Sequence, residues 1–168
     1  MKDSFDILIE NFVKSQNGYQ YFFVPGQPIP QGRPRVVAVG GRAWAFTPKK
    51  TKNYTDSVYT SVARQGAIAL PAPYTICLRF CLPPLKTIDE LYPTRKSHGD
   101  LDNLEKAVLD SLFGKGKIFS DDSEVVSVIK SKRLADTPAG VGVHLWIISG
   151  VPLPYSSQCG PFNDERTF

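Results

Sequence analysis

Apolar residues recur at intervals of three and four in three segments of the chain, and this spacing predicts amphipathic helices. The residues that carry the pattern are Phe5, Leu8, Ile9, Phe12 and Val13; Tyr54, Val58 and Val62; and Leu101, Leu104, Val108, Leu112 and Phe113. The first helix is expected to end near Asn17 and Gly18, and the third at Gly114. The second helix is expected to begin with Thr47 as its N-cap and Pro48 in its first turn.

Shorter runs of apolar and β-branched residues predict strands. Residues 75–82 alternate apolar side chains with Cys77, Arg79 and Cys81, which is typical of a half-buried strand. Gly40 and Gly41 separate two runs and suit the tight turn of a β-hairpin. The other predicted strands are 19–24, 36–39, 42–46, 125–133 and 141–149. Residues 25–35 form a stiff proline-rich loop that carries arginines, and residues 85–99 a polar loop.

Composition narrows the class of protein. The chain has 168 residues, 42% of them hydrophobic and 21% charged, which indicates one globular domain and excludes collagen-like or wholly disordered chains. No run approaches the roughly 18 apolar residues of a spanning helix. Asp3, Asp6 and Glu10 are incompatible with a secretory signal. Three cysteines without a CxxC pair favour a reducing compartment, so we expect a cytoplasmic protein.

Charge is unevenly distributed along the chain. Residues 100–124 contain seven acids and three bases, a net charge of −4, whereas the rest of the chain sums to +8. Seven bases and no acid lie between Asn11 and Thr55: Lys14, Arg33, Arg35, Arg42, Lys49, Lys50 and Lys52. A basic surface attracts a polyanion, and carboxylates facing that polyanion require cations between them. The distribution therefore suggests a metal-dependent enzyme that acts on nucleic acid.

The densest group of candidate residues lies around the start of the third helix. If that helix begins at Asp102, the chain before it is extended, and Asp100 and Asp102 can face the same side. Asp102 and Glu105 have the spacing of a capping box, which supports this boundary. Lys106 lies one turn after Asp102 on the same face, and Asp122 precedes the strand at 125–133. Carboxylates from two segments suit Mg²⁺ or Mn²⁺.

A structural interpretation of the same residues stays open. Asp102 can be a plain helix cap, Asp102 and Lys106 a surface ion pair, and Asp121 and Asp122 turn residues. An EF-hand is excluded, because its required glycine position holds Glu105. His98 could be a base or a ligand, although a loop histidine is more often neither, whereas His144 lies within a strand and is assigned no function.

Two blocks together resemble the RusA-like Holliday junction resolvases, which are common in phages and prophages. The first block is GDLDNLEK at 99–106, and the second is SDDSEVV at 120–126. The upstream prolines and arginines at 28–35 and the TPKKT run at 47–51 are similar to the N-terminal signature of that family. The resemblance covers about residues 20–134.

The resemblance implies a single α+β domain, in which a mixed β-sheet and a hairpin accompany two main packed helices. It also implies a homodimer that resolves Holliday junctions or other branched DNA in recombination and repair. Carried over by position, Asp100, Asp102 and Asp122 are the catalytic, Mg²⁺-binding aspartates, and Lys106 is the matching lysine. Residues 1–18 would be an accessory helix, 19–149 the nuclease domain and 150–168 a tail.

DNA contact is expected from the basic segments rather than from the acidic one. Arg33, Arg35, Lys49, Lys50 and Lys52 would track the phosphate backbone without reading bases. The alternative function is a protein that binds branched DNA and does not cut it.

Overall fold

A computed structural model describes residues 4–14, 18–32, 35–84, 93–94 and 98–150. Within these ranges the chain forms three α-helices and six strands. They are α1 (Ser4–Lys14), β1 (Tyr19–Pro25), β2 (Arg35–Val39), β3 (Arg42–Phe46), α2 (Lys49–Arg64), β4 (Tyr74–Leu82), α3 (Leu101–Leu112), β5 (Val125–Leu134) and β6 (Gly142–Ser149). No helix in these ranges is both long and apolar enough to cross a membrane.

Four strands form one mixed sheet in the order β1-β6-β4-β5. β4 and β5 run parallel, joined by the connection that contains α3, whereas the other two pairings are antiparallel. β2 and β3 form the predicted hairpin, which is a separate two-stranded sheet turning at Gly40 and Gly41. The predicted α+β class, with a mixed sheet and a hairpin, is confirmed.

The main core lies between one face of the sheet and the helices α2 and α3. Tyr54, Val58 and Val62 of α2 are buried, as their spacing predicts, and the apolar stripe of α3 packs beside them. Ile76, Leu78 and Phe80 of β4 are fully buried beneath these helices. This packing fixes α3 along the sheet, with its polar face left for the site.

α1 covers the opposite face of the sheet. Its Ile9 and Val13 pack against Cys77 of β4 and Ile148 of β6. Arg79, on the same face of β4 and 3% exposed, donates from Nη1 to Oδ1 of Asp6 at 2.7 Å. The prediction that the strand at 75–82 is half-buried is therefore wrong. All nine residues of β4 are buried, because helices cover both faces of the sheet and strands flank β4 on both edges.

Helix boundaries differ from the predicted ones by one or two residues. α2 has Pro48 rather than Thr47 at its N-cap, and α3 begins at Leu101 rather than at Asp102. Asp100 is the N-cap residue of α3 and makes no capping hydrogen bond through its side chain, so the predicted capping box is wrong. α3 ends at Leu112, just before Gly114, which has a φ of +117°.

Some predictions fall outside the described residues. These are the end of the first helix at Asn17, most of the loop at 85–99, and the tail from 151 onward, which includes Cys159. Cys77 and Cys81 are buried and unpaired by disulfide, and burial raises the pKa of the Cys77 thiol to about 12. Both are packed in the fold as small apolar side chains.

Candidate active site

A cavity of about 330 Å³ lies where α3 meets the start of β5. We call it the acidic pocket. Its lining residues are Asp102, Glu105, Lys106, Leu109, Asp110, Asp122 and Lys130. Three of the predicted site residues, Asp102, Lys106 and Asp122, therefore share one pocket although they come from two segments of the chain.

Helical spacing brings the α3 residues to this pocket. Asp102, Glu105, Lys106 and Leu109 are three, four and seven residues apart and share one side of the helix. The other side buries Leu104, Val108 and Leu112 in the core, which fixes the rotation of the helix about its axis. Asp102 also lies in the first turn, where the positive end of the helix dipole favours a carboxylate.

Asp122 is held by a structured loop. Phe113 and Phe119 stack with ring centroids 5.0 Å apart, and Tyr74 packs edge-on against both. Asp121 accepts a hydrogen bond from the backbone N–H of Ser123 at 2.8 Å. Hydrogen bonding to the Ser123 side chain, and secondly to this backbone N–H, lowers the pKa of the Asp121 carboxyl. Asp121 thus shapes the turn, whereas Asp122 lines the pocket.

Lys130 of β5 brings a positive charge into the acidic pocket. Its Nζ donates to Oδ1 of Asp102 and to Oε2 of Glu105. These hydrogen bonds, the one to Asp102 first, raise the pKa of the Lys130 ammonium. The Asp102 side chain remains 88% exposed, whereas that of Glu105 is only 18% exposed.

Lys106 lines the pocket, but its ammonium contacts another carboxylate. Nζ lies 3.2 Å from Oδ1 of Asp110, one turn along α3, and the Lys106 side chain is 60% exposed. Asp110 also accepts from Nε2 of Gln31 at 3.0 Å. Lys106 and Asp102 therefore line the same pocket, but the ion pair of Lys106 is formed with Asp110.

Asp100 lies beside the acidic pocket and is not among the residues that line it. Its backbone is extended, and its Oδ2 lies 3.5 Å from Nδ2 of Asn103. The chain before it is closely packed: Gly99 has a φ of +76°, and a Cβ there would come within 2.9 Å of Cγ of Pro30. Lys132 donates to the Gly99 carbonyl at 2.8 Å.

The proline-rich loop connects the basic and acidic parts of the protein. Its Gln31 N–H donates to the carbonyl of Asn103 in α3 at 2.7 Å. Pro30, Lys50 and His98 line a neighbouring cavity of about 350 Å³. The basic start of α2 and the start of α3 are therefore bridged by this loop.

The structure describes only some of the residues predicted to contact DNA. Lys49, Lys50 and Lys52 are exposed in the first turn of α2, as is Arg42 in the hairpin. These lysines lie at the helix end that repels cations, so nothing within α2 accounts for them. Arg33 lies outside the described residues, as does the side chain of Arg35.

A known protein family matches most of the chain. The family model described as Endodeoxyribonuclease RusA matches residues 25–145. The chain belongs to the RusA endodeoxyribonuclease family. The match contains α2, α3, β4 and β5, and hence every residue of the acidic pocket. α1 lies outside it.

A bacterial relative of this RusA-family chain extends the comparison. The protein YqaN of Bacillus subtilis (strain 168), which is described as uncharacterized, is 28% identical over 130 residues. The aligned region covers 70% of this chain and 89% of the relative.

Several pocket residues of the RusA-family chain were not predicted from sequence. The sequence predicts a capping role alone for Glu105 and none for Lys130 and Asp110, although all three line the pocket. It also predicts no role for Gln31, which donates to Asp110. The sequence contains a signal for Lys130. Lys130 lies two residues after Val128 on β5, so the two side chains share the face that packs against the helices. A lysine at such a position requires a hydrogen-bond acceptor within the protein, which a carboxylate can supply.

Proposed function

We propose that this RusA-family chain is a Mg²⁺-dependent endonuclease that cuts phosphodiesters in Holliday junctions or other branched DNA. The observation that carries the proposal is the meeting of Asp102 and Asp122, from separate chain segments, in one open pocket. The family match supports endodeoxyribonuclease chemistry for that pocket.

The donor set of the pocket fits a hard divalent cation. Its acidic ligands are carboxylates, which suit Mg²⁺ or Mn²⁺, and the exposed Asp102 is accessible from solvent. Among the described residues, no three His, Cys, Asp or Glu side chains stand in an arrangement ready for a metal ion. Lys130 donates hydrogen bonds to two of the pocket carboxylates, Asp102 and Glu105.

In the proposed reaction, Asp102 and Asp122 of the pocket, together with Asp100 at the adjoining N-cap position, would hold the metal. When bound, Mg²⁺ would supply an activated water and positive charge beside the scissile phosphate. Lys106, with an exposed ammonium at the pocket, adds positive charge beside the phosphate as its negative charge increases. Asp110 orients Lys106 through their hydrogen bond.

The assembly and setting are part of the same proposal. A four-way junction is nearly two-fold symmetric, so a homodimer would place two pockets on opposing strands. The protein would act in recombination and repair in the cytoplasm of a bacterial or phage-infected cell.

A cleavage assay tests the function. Synthetic four-way, three-way and linear DNA are incubated with the protein in Mg²⁺, in Mn²⁺ and in EDTA. We expect nicking of the branched substrates with either metal and none in EDTA. Binding of branched DNA without nicks in either metal would favour the non-catalytic alternative.

The lysines of α2 give a second prediction. Replacing Lys49 and Lys50 with alanine should weaken binding to every DNA, because phosphate contacts carry no sequence information. The slope of log K against log salt should flatten by about 1 to 2, since each lost phosphate contact removes roughly one unit. Fluorescence anisotropy at several salt concentrations measures both effects.

Arg64→Ala is the matched control for these lysines. Arg64 is an exposed base at the other end of α2, about 20 Å away at 1.5 Å per residue. The control should leave the slope unchanged. An unchanged slope in the double variant would remove Lys49 and Lys50 from the DNA interface.

A further inference from the structure

Lys130 occupies an unusual position for a lysine. In β5 it pairs in register with Leu78 of β4, and its neighbour on the same face, Val128, packs against the main core. Lys130 therefore projects from the sheet toward α3. The side chain is 26% exposed, so its charge requires compensation within the protein.

Two carboxylates provide that compensation. Asp102 and Glu105 lie three residues apart on α3, and the ammonium of Lys130 donates to both. An ammonium that bridges two carboxylates carries positive charge at the place where an oxygen-ligated cation would otherwise bind. Asp102 thus has one oxygen engaged by Lys130 before any metal arrives.

The two carboxylates differ in exposure, and that difference decides which contact breaks more easily. The Glu105 side chain is 18% exposed and that of Asp102 is 88% exposed. Solvent can replace the ammonium at Asp102, whereas releasing it from Glu105 would leave a largely buried carboxylate without this partner. Lys130 can therefore leave Asp102 while it stays bound to Glu105.

We propose that Lys130 is a built-in competing cation, which holds Asp102 in the metal-free protein and must release it to a divalent ion. Glu105 is a positioning residue that retains the released ammonium at the edge of the pocket. This inference rests on the proposed metal dependence of the site. It assigns roles to Lys130 and Glu105, which are not among the residues that the family resemblance carries over to the site.

Titration of the DNA-free protein with Mn²⁺ by calorimetry tests the inference. Lys130→Met should bind Mn²⁺ about fivefold more tightly, because the ion pair between Lys130 and Asp102 no longer competes with the metal. Lys130→Gln, a second neutral variant, should shift in the same direction. Lys130→Arg keeps the charge and should remain within about threefold of the wild type.

Two further variants separate competition from a general structural effect. Glu105→Gln should weaken Mn²⁺ binding, because Lys130 then has only Asp102 as its carboxylate partner and competes more strongly. Opposite shifts in Lys130→Met and Glu105→Gln are expected, whereas simple loss of structure would lower the affinity of both. Lys132→Met is the matched control, because Lys132 faces the same side of β5 but donates to the Gly99 carbonyl.

The outcomes distinguish this inference from the proposed function. Weaker or unchanged Mn²⁺ binding in both neutral Lys130 variants, with a wild type that binds Mn²⁺ and cuts DNA, overturns the inference and leaves the function standing. A wild type that binds no Mn²⁺ overturns both. Circular dichroism in EDTA verifies that the variants compared are folded.

Discussion

Asp102→Asn should lower the rate of nicking of a four-way junction in Mg²⁺ by at least about a thousandfold. The substitution keeps the size of the side chain but removes the charge of the exposed carboxylate that lines the acidic pocket. Loss of one group that stabilises charge in the transition state typically costs a factor of 10² to 10³, and a metal ligand contributes at least as much. Single-turnover cleavage on labelled junctions measures the effect.

DNA binding should survive the same substitution. Removing a negative charge that faces the phosphate backbone leaves affinity equal or tighter, so a gel shift in Ca²⁺ or EDTA should show an intact complex. Asp56→Asn is the control, because Asp56 is an exposed carboxylate of α2 outside the pocket. If Asp102→Asn cuts within tenfold of the wild type, Asp102 is not a metal ligand in this reaction.

Asp6→Ala should lower the free energy of unfolding by about 2–3 kcal/mol. Asp6 accepts from the buried guanidinium of Arg79, and removing one partner of a buried pair costs about 3–5 kcal/mol when both are enclosed. The lower figure is expected because Asp6 itself is 27% exposed. Phe5 lies under the same guanidinium, 4.3 Å from Cζ to the ring centroid, so α1 is anchored at this point.

A double-mutant cycle measures that anchor. Asp6→Ala with Arg79→Met should recover at least half of the loss, because the guanidinium no longer requires a partner inside the protein. Asp136→Ala is the matched control: Asp136 pairs with Arg133 but is 78% exposed, and we expect a loss below about 1 kcal/mol. Urea unfolding followed by circular dichroism supplies the free energies. Equal losses for Asp6→Ala and Asp136→Ala would contradict the assigned role.

The main core was predictable because its pattern is local. Val58 in α2, Leu104 in α3 and Ile76 in β4 follow the period of their own element and are buried accordingly. The full burial of β4 was not predictable from its alternating pattern. It depends on α1 packing over Cys77, and that is a contact between distant segments.

The site residues likewise divide into those that local sequence motifs predict and those that depend on contacts between distant segments. Asp102 and Asp122 were identified by their motifs, and the fold brings both to one pocket. The partner of Asp102 could not be identified by spacing along α3, because it is Lys130, 28 residues away on a strand. Lys106 has the favourable helical spacing to Asp102, yet Asp110 has the same spacing to Lys106 and forms the ion pair.

The tight packing at Gly99 joins the proline-rich loop to the start of α3. No side chain fits between this residue and Pro30, and Gln31 is hydrogen-bonded to the first turn of α3. The proline-rich loop and the backbone at Asp100 are therefore packed as one unit. Under the proposed function, a DNA strand that displaces the loop would also displace the start of α3, and with it Asp100 and Asp102.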